Sequence, residues 1–158
     1  MEYTYNSPIG PLLISYDDNF IRGAHFDREQ TQETVQNPLI LRAIEQLDQY
    51  FAGKLQDFDL PLKPAGTDFQ RRVWAQLCGI AYGETRSYGQ VAAAIGQPKA
   101  SRAVGGANNK NPIIIMIPCH RVIGADGKLV GYGGGMERKI WLLDHENNHN
   151  IEQTNLQV

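Results

Sequence analysis

The stretch Ser87-Tyr88-Gly89-Gln90-Val91-Ala92-Ala93-Ala94-Ile95-Gly96-Gln97-Pro98-Lys99-Ala100-Ser101-Arg102-Ala103-Val104-Gly105-Gly106-Ala107-Asn108 reads as two short helices joined by a tight turn. Ser87 is a good N-cap, and Tyr88, Val91, Ala92 and Ile95 keep the i, i+3, i+4, i+7 spacing of one buried helical face. Gly96-Gln97-Pro98 breaks the chain, and a second helix is predicted from about Lys99 to Ala107. This is the pattern of a helix-turn-helix, whose second helix can lie in a nucleic-acid groove. An ordinary helical hairpin inside a core has the same pattern. The second helix is unusual in composition: Ala100, Ala103, Gly105, Gly106 and Ala107 are small, and Arg102 is the one long side chain at its centre. Each interior glycine costs about 1 kcal/mol relative to alanine. Such a helix suits close approach to its backbone, by a nucleic acid or by another helix.

Outward from this unit, Thr67-Asp68-Phe69-Gln70 has the spacing of a capping box. It opens a helix with Phe69, Val73, Trp74 and Leu77 on one face, where Cys78 is expected as a small apolar residue before Gly79. Upstream, Lys54 to Gly66, with Pro61 and Pro64, reads as a linker. A helix is predicted over Pro38–Phe51, with Ile40, Ile44, Leu47 and Phe51 inward and Gly53 as its stop. Strands are predicted over Leu12–Tyr16 and Phe20–Phe26, turning at Asp17-Asp18-Asn19. Downstream, Ile113-Ile114-Ile115-Met116-Ile117 reads as one buried strand. A last helix over Met136–His145 should point Ile140, Trp141 and Leu143 inward, with Glu146 at its end. His145 and His149 read as residues favoured by the negative end of that helix. The tail beyond His149 is polar and expected to fray. The fold class is therefore α+β: a small N-terminal α/β domain of sheet plus helix, residues 1–66 with the linker, then a mainly helical domain, residues 67–158, carrying the helix-turn-helix.

The bulk properties fit this division. From Met1 to Asp68 there are 5 Lys and Arg against 11 Asp and Glu, and from Phe69 to Trp141 there are 10 against 3. A basic stretch beside an acidic front suits a partner that is a polyanion, although a solvated face gives the same imbalance. No apolar run approaches the roughly 20 residues of a membrane span, and Met1 to Gly10 has no secretory pattern, so a cytoplasmic location is the default. The two cysteines, Cys78 and Cys119, have neither metal-knuckle nor redox-pair spacing.

Pro118-Cys119-His120-Arg121-Val122 ends the apolar run with a thiol beside an imidazole. A thiol with an ordinary pKa of about 8.5 is mostly protonated at neutral pH, so it needs a neighbouring base or positive charge to become a nucleophile. Adjacent strand residues face opposite sides, so Cys119 and His120 cooperate only if the chain bends, which Pro118 favours. A third group should orient the imidazole. Glu84, Asp126, Glu137, Asp144 and Glu146 are the acids available in this half, and spacing does not choose among them. Arg121 reads as an ion-paired scaffold residue.

Ile117-Pro118-Cys119-His120-Arg121-Val122-Ile123 resembles the active-site signature of the O6-alkylguanine-DNA alkyltransferases. Phe69 to Trp74 resembles the helix that opens their catalytic domain, Ser87 to Ala92 the first helix of their helix-turn-helix, and Ala100 to Asn108 their recognition helix. Asn111-Pro112, Gly131-Tyr132-Gly133-Gly134-Gly135 and Trp141-Leu142-Leu143 followed by His145-Glu146 match in order and spacing. The similarity covers about Thr67 to Glu146; the front half resembles the family's N-terminal domain in size and layout. The resemblance implies DNA repair by single-turnover transfer of an alkyl group from O6-alkylguanine to Cys119, and leaves O4-alkylthymine open as a second substrate. It implies that His120 draws off the thiol proton through a water, Glu146 holds His120, and Asn111 braces the turn. Tyr88 would help turn the nucleotide outward and donate to the guanine. Arg102 would fill the gap in the stack, with Ala103 and Gly106 on the same DNA-binding face. Cys119, Val122, Tyr132 and Gly133 would form the pocket. The partner implied is double-stranded DNA bearing O6-alkylguanine, entered from the minor groove by a monomer with no membrane association. Some family members bind zinc through N-terminal Cys and His residues; with no Cys and only His25 in front, no metal and no cofactor are expected. Gly133 stands where some relatives have Ser.

Two other functions fit parts of the pattern. Alkyltransferase-like proteins bind lesions without transfer and carry Trp in place of the reactive Cys. A Cys-His hydrolase would need an oxyanion hole and would turn over, and it leaves the Ala/Gly helix unexplained.

Overall fold

The computed structural model describes residues 1–28, 36–129 and 131–150. Strands β1 (Glu2–Ser7), β2 (Gly10–Tyr16) and β3 (Ile21–Phe26) form an antiparallel sheet in that order. Glu2 pairs with Ser15 and Ser7 with Gly10 across the first hairpin, and Leu12 pairs with Phe26 across the second. The Asp17 carboxylate accepts from the backbone N–H groups of Asn19 and Phe20 at 2.9 and 2.8 Å, which is why the Asp-Asp-Asn segment turns there. β1 is not foreseen from the sequence: its polar, Tyr-rich alternation buries only Thr4 and Tyr5.

Helix α1 (Pro38–Phe51) begins where Asn37 caps Leu39 and Ile40 and Pro38 sits in the first turn. Its buried stripe is Leu39, Ile40, Ala43, Leu47 and Tyr50. Ile44 and Phe51, expected inward, are only partly buried, because the stripe is rotated toward Ala43 and Tyr50. Gly53, at φ 75°, ends the helix.

The second half consists of α2 (Asp68–Leu77), α3 (Tyr88–Ala94), α4 (Ser101–Asn109) and α5 (Met136–Asn148), with short strands β4 (Arg86–Ser87) and β5 (Val122–Ile123) paired in parallel. Complete capping boxes open α2, through Thr67 and Gln70, and α3, through Ser87 and Gln90. Gly96, at φ 78°, turns the chain between α3 and α4. The Trp74 indole N–H donates to the Ala107 carbonyl at 2.8 Å and pins α2 to α4.

The free edge of β3 joins the halves. Ile21 exchanges hydrogen bonds with Pro61 and Lys63, so the linker is partly sheet edge, and Ala24 exchanges them with Pro112 and Ile114. The apolar run 113–117 is consequently not the single strand expected. It pairs at Ile113 and Ile114, turns through Ile115 at φ 74°, and closes with Ile117 N–H on Ile113 C=O at 3.0 Å. A β-branched residue in that region costs about 1–3 kcal/mol and persists only where its surroundings hold it. Cys78 also departs from expectation: it caps the C-terminus of α2 and is exposed. In α5 the buried residues are Lys139, Leu142, His145 and Glu146, while Ile140 is 44% exposed and Trp141 only partly covered. His145 lies in the last turn of α5, as expected, but is buried there. Its Nε2 donates to the Tyr50 carbonyl at 2.7 Å, and its ring stacks on Trp141. His149 Nδ1 meets the His145 carbonyl at 2.7 Å, so His149 does sit at the helix end. The polar tail from residue 151 lies outside the described residues.

Candidate active site

Asn111 shapes the turn that carries the thiol. Its Oδ1 accepts from Ile113 N–H at 2.9 Å and its Nδ2 donates to Ile117 C=O at 2.8 Å, bracketing the strained Ile115. The chain then enters a single 3₁₀ turn, Cys119–Arg121, and Asn108 Nδ2 donates to the Cys119 carbonyl at 3.3 Å. The bend expected at Pro118 is thus present, and Cys119 and His120 are both buried, at 1% and 0% exposure. Burial pushes the Cys119 thiol up to about 11, opposed by Asn111 and by the charge of Lys139. At rest the group is therefore a thiol, and it ionises only where a base takes its proton.

Glu146 lies against His120 and Arg121. His120 Nε2 meets Glu146 Oε2 at 2.6 Å, which places the Nε2 proton toward the carboxylate. His120 Nδ1 has no protein partner among the described residues, which leaves it an unsatisfied buried acceptor. Arg121 Nε donates to Oε1 at 2.7 Å and Nη2 to Oε2 at 3.0 Å. Burial alone would raise the Glu146 carboxyl, but the charge and hydrogen bond of His120 and those of Arg121 outweigh it and hold the group well below the usual carboxylate range. The other acids are elsewhere: Glu84 pairs with Arg86, Asp126 with Lys128, and Glu137 and Asp144 are exposed.

The remaining predicted residues divide into a rim and a face. Tyr88 is half-buried at the start of α3, and its hydroxyl is pushed above the ordinary phenol value by burial and by Cys119. Tyr132 is buried, and burial, then the charge of Cys119, push its hydroxyl well up. Gly133 is exposed beside it. A Cβ on Gly134 would lie 2.6 Å from the Tyr132 ring, so that glycine lets the ring fold back. The Val122 carbonyl accepts from Lys139 Nζ at 2.7 Å and keeps a second lone pair. Arg102, Ala103 and Gly106 are exposed together on α4. A Cβ on Gly106 would meet nothing within 4 Å, and one on Gly105 would make only ordinary contact with Tyr88, so no internal packing requires either glycine.

Sequence reasoning missed three supports. Tyr50 donates to Glu146 Oε2 at 2.7 Å, Asn108 holds the Cys119 carbonyl, and Lys139, fully buried, ties Val122 to the Gly131 carbonyl. A tyrosine and a lysine within apolar helical stripes were the available signals, since both need polar partners when buried.

Residues 1–64 match the family model described as the 6-O-methylguanine DNA methyltransferase, ribonuclease-like domain. Residues 68–148 match the corresponding DNA binding domain. The chain is 50% identical over 149 residues to the methylated-DNA--protein-cysteine methyltransferase of Methanosarcina barkeri, covering 90% of this chain and 94% of that one. It is 50% identical over 148 residues to the protein of the same name from Mycobacterium tuberculosis, covering 90% of each. The crystal structure of Mycobacterium tuberculosis OGT in complex with DNA superposes with a TM-score of 0.85 at 49% identity, covering 94% of this chain and 93% of that one. The chain belongs to the methylated-DNA--protein-cysteine methyltransferase family.

Proposed function

We propose that Cys119 is the residue at which this protein takes up an alkyl group from O6-alkylguanine in duplex DNA. The family assignment makes the chain a DNA-repair protein that transfers an alkyl group from DNA to a cysteine. The observation that carries the residue assignment is a buried thiol next in the chain to an imidazole whose Nδ1 has no partner among the described residues and whose Nε2 meets an ionised carboxylate.

The thiol proton passes through a water to His120 Nδ1 while Nε2 keeps its proton on Glu146. Cys119 Sγ then bonds to the alkyl carbon as the carbon–O6 bond breaks, and its electron pair leaves on the guanine. Tyr88, protonated at neutral pH, donates to the guanine ring and lowers the charge on the leaving group. The product thioether has no hydrolytic exit, so each molecule repairs one lesion.

The base must leave the stack first, at a cost of a few kcal/mol. Arg102 fills the gap, and α4 enters the minor groove on the bare face of Ala103 and Gly106. Cys119, Val122, Tyr132 and Gly133 line the pocket, and the Cys119 and Val122 carbonyls meet the exocyclic amine, the Val122 carbonyl with the lone pair that Lys139 leaves it. Asn111 keeps the turn in place. The protein acts as a monomer in the cytoplasm, and no helix among the described residues is long and apolar enough to cross a membrane. Its working units are residues 1–66, which end with the linker, and 67–158, which open at the Thr67 cap.

The test is intact mass with peptide mapping after mixing with a duplex holding one O6-methylguanine. One methyl on the Cys119 peptide, never more than one per protein, is expected; Cys119→Ala should gain none yet still bind the duplex. Lesion binding by the unaltered protein without any mass gain would favour recognition alone.

A further inference from the structure

We propose that Tyr50, a residue of the N-terminal half, is a positioning residue of the transfer reaction, its hydroxyl setting how firmly Glu146 holds His120. The inference rests on the assignment of Cys119, His120 and Glu146 above.

Two consecutive residues of α5 grip Tyr50 from both ends. His145 Nε2 donates to its carbonyl at 2.7 Å, and its hydroxyl donates to Glu146 Oε2 at 2.7 Å. That oxygen is also the one on His120 Nε2, at 2.6 Å, and on Arg121 Nη2, at 3.0 Å. The hydroxyl and the imidazole therefore share one acceptor, and both Glu146 and His120 are buried. Bulk packing does not explain the contact. The Tyr50 ring is already held by Phe51, Phe58, Tyr82 and His145, at centroid distances of 5.2 to 6.3 Å, and a phenylalanine would keep all four. What the hydroxyl adds is a donor on the carboxylate.

Glu146 is faced from α1 by Tyr50, from the 3₁₀ turn by His120 and Arg121, from the loop after α2 by Tyr82, from the glycine-rich loop by Tyr132, and on its own helix by His145. Only His120, Arg121 and Tyr50 bond to it among the described residues. Without the hydroxyl, the carboxylate has one donor fewer and concentrates its charge on His120. The doubly protonated imidazole is then favoured more strongly than in the parent, and Nδ1 is freed to accept the thiol proton only at higher pH.

Single-turnover transfer from a duplex containing O6-methylguanine, followed from pH 5 to 9, tests this in Tyr50→Phe, Glu146→Gln and the double variant. For Tyr50→Phe we expect an unchanged melting profile within a few degrees, unchanged duplex affinity, a rate lowered about tenfold at neutral pH, and an acidic limb moved to higher pH. That loss is well short of the roughly 10²- to 10⁴-fold a positioned base supplies. In the Glu146→Gln background, Tyr50→Phe should have no further effect, because its route to the thiol is gone. A Tyr50→Phe rate lowered without any shift of the limb, or lowered equally in both backgrounds, overturns the inference and makes Tyr50 structural. Full activity of Glu146→Gln would instead overturn the underlying assignment, and the role of Tyr50 with it. If Glu146→Gln does not fold, the limb shift in Tyr50→Phe alone decides.

Discussion

Helix α4 leaves its outer backbone at Ala103 and Gly106 under side chains of one carbon or none, whereas the last turn of α5 buries an ionised carboxylate beneath donors from three residues. The first region is bare where a helix would gain from longer side chains, and the second is charged where a core would gain from apolar ones. Neither choice favours stability. Gly105 and Gly106 weaken α4, and buried ion pairs of this kind often match or fall short of a well-packed apolar replacement. The two departures differ in direction, however. The exposed one leaves a stretch of surface clear, and the buried one fixes a charge against His120 and Arg121. Substitutions should therefore break them in opposite ways.

Glu146→Gln should have the largest effect. The variant keeps the shape of the side chain but leaves Arg121 and His120 without their counter-charge. Transfer should slow roughly 10²- to 10⁴-fold, and breaking the buried pair should cost about 3–5 kcal/mol of stability. The pH dependence has a definite sign. Because the folded carboxyl lies below its ordinary value of 4.5, its contribution to stability is full above that value and is lost as pH falls toward the folded value. Melting temperatures measured from pH 7 downward should fall below about pH 4.5 in the parent and much less steeply in Glu146→Gln. Parallel curves would remove Glu146 from the acid response.

The contrast also explains what could be read in advance. The face of α4 was legible because its meaning lies in local composition: Ala103, Gly105, Gly106 and a single Arg102 are visible without any knowledge of the fold. The capping box at Thr67 and the N-cap at Ser87 were legible for the same reason, since their partners lie three residues away. The buried cluster was not. Tyr50 and Glu146 are separated by 96 residues, and nothing local singles out either one. The choice of Glu146 came from resemblance, and Tyr50 showed only as a tyrosine within an apolar helical stripe, with nothing to name its partner. The run 113–117 misled because five apolar residues look the same in a strand and in a buried turn. What sets them apart is Asn111, whose side chain replaces the missing ladder.

Arg102→Ala probes the exposed region at its one long side chain. It should lower the rate on duplex relative to the free alkylated base by about 10- to 100-fold, since only the duplex has a stack to refill. Paired rate measurements on the two substrates check this. Equal slowing on both would take Arg102 out of the stack.

Gly106→Ala separates stability from function on the same face. The new methyl meets nothing in the protein within 4 Å, so the helix should gain about 1 kcal/mol and melt roughly 2–4 °C higher. Duplex binding should weaken, because the methyl stands where the groove approaches. Thermal melting and a binding titration on the same preparation decide it. A higher melting temperature with undiminished binding would move the interface away from Gly106.

Gly133→Ser should give the smallest effect and tests the rim between the two regions. A Cβ at this position would lie 3.3 Å from the Asn109 carbonyl, so the rim must shift by a few tenths of an ångström to accept it. The backbone N–H remains available to the base in either case, and what changes is the room beside Tyr132. A narrower pocket discriminates by the size of the alkyl group, and a contact of one or two carbons is worth about 1–3 kcal/mol in such a site. Methyl transfer should therefore be nearly unchanged, ethyl transfer somewhat slower, and benzyl transfer slowest relative to the parent. Rates for all three substrates in both proteins give the comparison directly. Three unchanged rates would mean that the glycine at 133 does not set pocket width, and that the fit of the alkyl group is decided deeper, around Cys119 and Tyr132.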